Sequence, residues 1–286
     1  MGLGHMLGAL AISACVVGCM GSPTPLAPNL GGTVGVPHSG VLTNGVELPA
    51  RGPGFVRYRP KGDHYWGHPD LVAAVEAAAA RVAEQRPGGA PLVVGDFSAK
   101  TGGKIPGHHS HRTGRDVDLL YFAMTPSGAS VRSPGFVRFG SDGLAQVEGL
   151  GYLRVDLERE WLLIKELLLS PRIEVEWLFA SRDMEALIVD YARARGEDPM
   201  LVWRAESMLL QPGDSSAHDD HIHMRIACSA EDELRGCMGG GPRWPWLDPA
   251  AELPELDDGA LSTIAKDDPP ELLPSPSEDS RAGGDV

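Results

Sequence analysis

The sequence predicts an α+β fold: a central antiparallel sheet flanked by helices, with long loops gathered round a histidine-rich cleft. Three observations predict it. Helical and extended periodicities are interleaved without a regular βαβ alternation, which argues against an all-parallel sheet. Gly (36) and Pro (24) are abundant in the 286 residues and aromatics make up only 6%, so loops take a large share of the chain. Two short stretches roughly a hundred residues apart, Gly107 to Asp118 and His218 to His223, hold six of the ten histidines. That density is read as the feature the scaffold exists to assemble.

The elements follow in order. Residues 34–60 alternate turns with short apolar pieces and read as extended structure and loops. His68-Pro69-Asp70 opens a helix, with Pro at the first helical position and an acid in the first turn. Leu71, Val72, Val75, Ala79 and Val82 recur at helical spacing until Pro87-Gly88-Gly89 stops them. Residues 91–97 form a short apolar strand. Residues 98–115 lack periodicity, are rich in Gly, and make a long loop that carries the first histidine cluster. A strand over 116–122 enters with two carboxylates, Asp116 and Asp118. Residues 128–151 read as irregular. A helix over 157–169, a strand over 173–179, a helix capped by Ser181 and closed by Gly196, and a helix opened by Asp198-Pro199 come next. The strand 221–227 carries the second cluster.

Four segments result. Residues 1–19 read as a leader of the lipoprotein type: Met6 to Val17 is apolar, too short to span a bilayer, and ends at Cys19 in Val16-Val17-Gly18-Cys19. Cys15 is an earlier candidate for the acylated residue, and an ordinary cleaved signal peptide is the competing reading. Residues 20–37 read as a flexible tether, 38–247 as the folded domain, and 248–286 as a disordered acidic, Pro-rich tail. In an exported protein Cys228 and Cys237, the two cysteines outside the leader, read as one disulfide; the competing reading, two thiolate zinc ligands, lacks a second Cys pair. The expected location is periplasmic, anchored to a membrane through lipid on Cys19. The formal charge of −14 and the absence of a basic stripe exclude nucleic acid as a partner.

The clusters suggest metal chemistry. Catalytic zinc takes three protein ligands and keeps one position open. His111, Asp118 and His223 are the candidates. Residues two apart on a strand share a face, so His221 looks into the same space as His223. His221 is the first choice for general base and His218 the second, His218 alternatively serving as a donor to an oxyanion. Asp116 shares a face with Asp118, and spacing leaves open which of them is the ligand. His109, Asp219 and Asp220 are assigned to solvent. Gly114, between His111 and Asp118, supplies a tight turn.

These motifs resemble the penicillin-insensitive murein endopeptidases. His111-Arg112-Thr113-Gly114-Arg115-Asp116-Val117-Asp118 matches their His-x-x-Gly-x-x-x-Asp, and His221-Ile222-His223, preceded by His218, matches their His-x-His. The resemblance extends to Tyr65 through Leu71, to Gly107-His108-x-Ser110-His111 and to Met224-Arg225 followed by Cys228. It implies a zinc peptidase that cleaves D-alanyl–meso-diaminopimelyl cross-links of peptidoglycan and is indifferent to penicillin. It also implies His111, Asp118 and His223 as zinc ligands, with His218 and His221 as active-site histidines. Members can hold a second metal through the residue matching His108 and a downstream Asp, here Asp142; the further His of that set is Ala145 here, a departure from the pattern. Two rival readings are a zinc D,D-carboxypeptidase or dipeptidase acting on stem peptides, and a non-catalytic peptidoglycan-binding protein.

Overall fold

The computed structural model describes residues 32–246 other than 214, 240, 243 and 245. The leader, most of the tether and the acidic tail therefore lie outside the described residues. The chain divides into two units, residues 1–240 and 241–286. Every strand and helix among the described residues belongs to the first unit.

The fold opens as a hairpin of β1 (Gly32–Val36) and β2 (Ser39–Thr43). The folded domain thus begins before residue 38: the last residues read as tether form β1, with Gly32, Thr33 and Gly35 buried. Short strands come next: β3 (Val46–Glu47), β4 (Arg51–Gly52), β5 (Phe55–Arg57) and β6 (Trp66–Gly67). Helix α1 (Pro69–Gln85) starts where the sequence places it. His68 is its cap, and the His68 Nδ1 accepts from the Asp70 amide at 3.3 Å. Its apolar stripe, Leu71, Val72, Val75, Ala79 and Val82, is buried.

Next come β7 (Leu92–Val94) and, after the long loop, β8 (Asp116–Leu120), whose five residues are all buried. β9 (Ala123–Met124), β10 (Ser130–Val131), β11 (Leu144–Val147) and β12 (Gly151–Val155) make a second, four-stranded antiparallel sheet in the order β10-β9-β12-β11. This corrects the expectation that 128–151 is irregular. The glycines there are turn chemistry: Gly149 sits at φ +76° in the three-residue loop between β11 and β12. The strands are short, and only alternate residues, such as Leu153 and Val155, are buried, so no apolar run advertises them.

Helix α2 (Leu157–Leu168) is capped by Asp156 and α3 (Arg182–Ala194) by Ser181; α4 (Pro199–Met208) is capped by Asp198, which accepts from two amides. β13 (Val175–Phe179), β14 (Leu209–Leu210) and β15 (His221–Ile226) complete the main sheet, and α5 (Ala230–Leu234), which the sequence reading did not foresee, ends the unit. The main sheet has the order β14-β13-β15-β8-β7-β5-β4. Its four central strands, β13, β15, β8 and β7, pair antiparallel as expected; β14 and β5 add to them in parallel. Helices α1 to α4 pack in sequence against one another, and α4 packs on β13. The disulfide Cys228–Cys237 is formed. It ties the exit of β15 to a segment that bonds to β1, through Gly35 N–H to the Gly236 carbonyl (2.8 Å) and Met238 N–H to the Gly35 carbonyl (3.0 Å). Among the described residues no helix is long and apolar enough to cross a membrane.

Candidate active site

The two central strands sort their residues by chemistry. On β15, Ile222, Met224 and Ile226 are buried in the core, and the alternating partners His221, His223 and Arg225 face the other way. On β8, Val117 and Leu119 alternate with Asp116 and Asp118. Antiparallel register then sets His223 directly opposite Asp118 and Arg225 opposite Asp116. The sheet itself therefore brings residues 105 positions apart in the chain into contact.

His111 arrives from the loop. Its backbone is in the left-handed region, φ +62°, which a non-glycine residue rarely adopts. The surroundings hold it there. The His111 carbonyl accepts from Ser98 Oγ at 2.6 Å, and its amide donates to Asp116 Oδ2 at 3.3 Å. Gly114 folds the loop back at φ +75°; a Cβ there would meet the Leu42 methyls at 2.6 and 2.8 Å, and its carbonyl accepts from the His68 amide at 2.8 Å.

Three atoms converge. His111 Nε2, Asp118 Oδ1 and His223 Nδ1 lie 3.2 Å from one another on every edge of the triangle. Tetrahedral coordination with bonds of about 2.0 Å places ligand atoms about 3.3 Å apart. All three residues are buried, and neither carboxylate oxygen of Asp118 has a hydrogen bond among the described residues. A buried carboxylate without donors is costly unless a cation answers it, so this donor set fits a metal ion. The imidazoles are also oriented for one. His111 donates its Nδ1–H to the Phe97 carbonyl (2.5 Å), leaving Nε2 with its lone pair. His223 donates Nε2–H to Asp116 Oδ1 (2.9 Å), leaving Nδ1. Asp116 takes Arg225 Nε–H as well, at 2.7 Å. Of the two residues that spacing left open, Asp116 is engaged behind the histidine, whereas Asp118 faces the triangle. Burial opposes the charge on both carboxylates, but Arg225 and His223 at Asp116, and His111 and His221 at Asp118, hold both pKa values well below the usual range. Burial also opposes charge on His223, and Asp116 and Asp118 outweigh it, raising its pKa.

The remaining histidines surround the triangle. His221 Nε2 lies 3.4 Å from Asp118 Oδ1, and its Nδ1 bonds Asp220 Oδ1 at 2.5 Å. Burial works against its protonation, but the Asp118 and Asp220 carboxylates win and push its pKa up to about 10. The His218 ring is 5.2 Å from that of His221 and 5.9 Å from that of His223. Burial first, then the neighbouring imidazoles, lower its pKa to about 4, so His218 is neutral near pH 7. Its Nδ1 has no hydrogen bond among the described residues, and the residue is held by its backbone instead. The amide donates to Gln211 Oε1 (2.9 Å); the carbonyl accepts from the Ser181 amide (2.8 Å) and from Tyr121 Oη–H (3.1 Å). Sequence reading named neither Gln211 nor Tyr121 as a site residue; nothing but tertiary contact distinguishes them.

His108 stands beside the triangle, its ring 4.4 Å from that of His111, its Nδ1 3.8 Å from Asp118 Oδ2 and its Nε2 3.2 Å from Asp96 Oδ2. Asp96 is a further neighbour the sequence reading missed. Two groupings could hold a metal ion: His108, His111 and Asp118, and His218, His221 and His223. Asp142 belongs to neither; it accepts from the Leu144 amide in its own turn (3.0 Å). His109 is exposed, as expected, whereas Asp219 and Asp220 are only partly so, Asp220 because it bonds His221.

Comparison with known proteins agrees with this geometry. The family model described as penicillin-insensitive murein endopeptidase matches residues 33–133, the stretch that carries His108, His111, Asp116 and Asp118. The chain is similar to a penicillin-insensitive murein endopeptidase of Klebsiella pneumoniae subsp. pneumoniae, 26% identical over 255 residues, which span 85% of this chain and 84% of the relative. It is similar to one of Haemophilus influenzae, 27% identical over 217 residues, 73% of this chain and 68% of the relative. A shorter match, 29% identical over 116 residues, is to one of Escherichia coli O157:H7, spanning 39% of this chain and 42% of the relative. The motifs, the donor triangle and these relatives agree, and the chain is similar to the penicillin-insensitive murein endopeptidases over the residues that carry its histidine clusters.

Proposed function

We propose that this protein is a zinc-dependent murein endopeptidase that hydrolyses the D-alanyl–meso-diaminopimelyl cross-links of peptidoglycan. The observation that carries the reading is the triangle of His111 Nε2, Asp118 Oδ1 and His223 Nδ1, with the His221 and His218 imidazoles beside it. In this reading these three residues hold zinc, and His108 is a flanking group. Zinc, when bound, supplies Lewis acidity, acidifying water and polarising the scissile carbonyl.

The protein's own groups do the rest. His221 accepts the proton of the attacking water and returns it to the leaving amine. Asp118 is the largest upward cause on His221, and a carboxylate whose charge is answered by a dication no longer holds that proton. His218 donates to the developing oxyanion. Asp116 and the Phe97 carbonyl fix the tautomers of His223 and His111. The neutrality of His218 supports a second reading with these two roles exchanged. Alanine variants separate them: the residue that is the base is the one whose loss removes the acidic limb of the kcat profile.

The expected outcome with the full chain, purified in detergent, is cleavage of cross-linked muropeptide dimers to monomers, seen by mass spectrometry. Activity is lost on chelation and restored by zinc. Full activity in His223→Ala or Asp118→Ala would overturn the ligand set. Release of terminal D-alanine from pentapeptide stems, with dimers left intact, would make the enzyme a carboxypeptidase. This substrate places the protein in the periplasm, and we propose that acylation of Cys19 anchors it to a membrane there; a Cys19→Ser variant then fails to incorporate labelled palmitate.

A further inference from the structure

One side of the site is walled by side chains that none of the roles above uses. Phe136 is a large apolar residue left 36% exposed, and its ring meets that of His221 edge to face with centroids 5.2 Å apart. Tyr58 meets Phe136 in the same way at 5.4 Å. The Arg59 guanidinium lies 5.5 Å from the Tyr58 ring centre and is largely exposed. A cation at the rim, two rings and the imidazole thus form one continuous line, contributed by three segments remote in the chain.

The backbone is shaped to hold this line. Gly135 is buried at φ +142°, and a Cβ there would meet Tyr58 Oη, Cε2 and Cζ at 2.9, 3.0 and 3.1 Å. The Val137 amide donates back to the Gly135 carbonyl (2.9 Å), which sets Phe136 at the apex of a three-residue turn. Ser133 Oγ–H donates to the same carbonyl at 3.1 Å. The next residues fasten the turn to the histidine segment: the Phe139 amide donates to the Asp219 carbonyl at 2.9 Å. Phe136 is thus not a singly exposed side chain but the middle of a continuous aromatic surface that runs from Tyr58 to the His221 imidazole. In a chain of net charge −14, a cation at the end of the wall has an anion to meet. Among the described residues Arg59 has one ion pair, a long one, 3.8 Å to Asp96.

We propose that Phe136, Tyr58 and Arg59 form the substrate-binding wall of the cleft, with Phe136 and Tyr58 packing against the aliphatic part of an anionic stem peptide and Arg59 pairing with its free carboxylate. This deepens the murein endopeptidase reading and rests on it. The wall selects carboxylate-bearing stems over amidated ones, and it works through binding.

The test uses the full chain in detergent and two cross-linked muropeptide dimers that differ only in whether the stem carboxylates are free or amidated. Phe136→Ala raises KM about tenfold, the equivalent of about 1.4 kcal/mol, with kcat and bound metal unchanged; Phe136→Tyr restores KM. Arg59→Gln raises KM about fivefold on the free-carboxylate dimer, at the upper end of the range for one exposed ion pair, and leaves the amidated dimer unchanged. An unchanged KM in Phe136→Ala, a loss confined to kcat, or an equal Arg59→Gln penalty on both dimers would overturn the proposal. If the wild-type protein cleaves neither dimer, the endopeptidase reading fails, and equilibrium binding of the same two dimers to wild type and Arg59→Gln then decides the wall separately: an Arg59-dependent preference for the free carboxylate supports it, and equal affinities reject it.

Discussion

Asp116 and Asp118 show how two identical residues on one face of one strand take different roles. Both are fully buried and both are held ionised, but by different neighbours. Asp116 accepts from His223 and Arg225. Asp118 accepts no hydrogen bond from the described residues and points both oxygens at imidazoles. The spacing Asp-x-Asp was legible in the sequence, but spacing alone left the distinction open and only the family resemblance pointed to Asp118, because the distinction depends on which partner the neighbouring strand delivers. Asp116→Asn removes the anion that orients and strengthens His223 as a donor. Metal affinity then falls about 10- to 100-fold, read by competition with a chromophoric chelator, while the Asp118→Ala variant loses the metal altogether.

Elements carry the next layer of information. The helices α1 to α4 were legible end to end because their signals are local: Pro at the first turn, Asp or Ser at the cap, Gly or Pro after the last turn. The β11–β12 hairpin was not, since its strands are short and half exposed and its glycines look like loop. The connection before β15 is likewise decided by tertiary contacts, with Tyr121, Gln211 and Ser181 clamping the backbone of His218. Tyr121→Phe deletes one donor and leaves Ser181 on the same carbonyl. A single neutral hydrogen bond is worth about 0.5–1.5 kcal/mol, so kcat falls about three- to tenfold in steady-state assays, with KM and bound metal unchanged. The disulfide acts on a different scale. Replacing Cys228 and Cys237 by Ser frees a nine-residue span and lowers stability by about 2–3 kcal/mol in chemical denaturation, loosening the segment that holds β1.

Over the whole molecule, one buried group sets a pH dependence separate from catalysis. Glu160 on α2 is fully buried; one oxygen accepts from the Phe122 amide at 3.1 Å and the other has no hydrogen bond among the described residues. Burial raises its pKa from 4.5 to about 8. The folded state therefore keeps a proton that the unfolded chain gives up. This contribution to stability is complete below about pH 4.5 and declines by about 1.4 kcal/mol per pH unit until about pH 8. Thermal melts of Glu160→Gln, which cannot ionise, follow a flatter course than wild type between pH 5 and 8. A variant as steep as wild type would assign that slope to other groups.

The sequence by itself determined which residue types are available and on which elements they ride: three residues of metal-ligating chemistry, two attendant histidines, helices with clear ends, and a cysteine pair that closes. These come from local patterns, in which each residue is read against neighbours a few positions away. The tertiary structure decided how they meet. The β8–β15 register sets His223 across from Asp118, a left-handed His111 completes the triangle, and Phe136, itself in contact with Tyr58, packs its ring against His221. Strand register, buried hydrogen-bond partners and ring contacts are set by packing between segments far apart in the chain. A one-residue slip of β15 would turn every histidine on it into the core. The alternation of Ile222, Met224 and Ile226 offers the apolar face, and its burial in the core, which only the packed sheet supplies, penalises that slip.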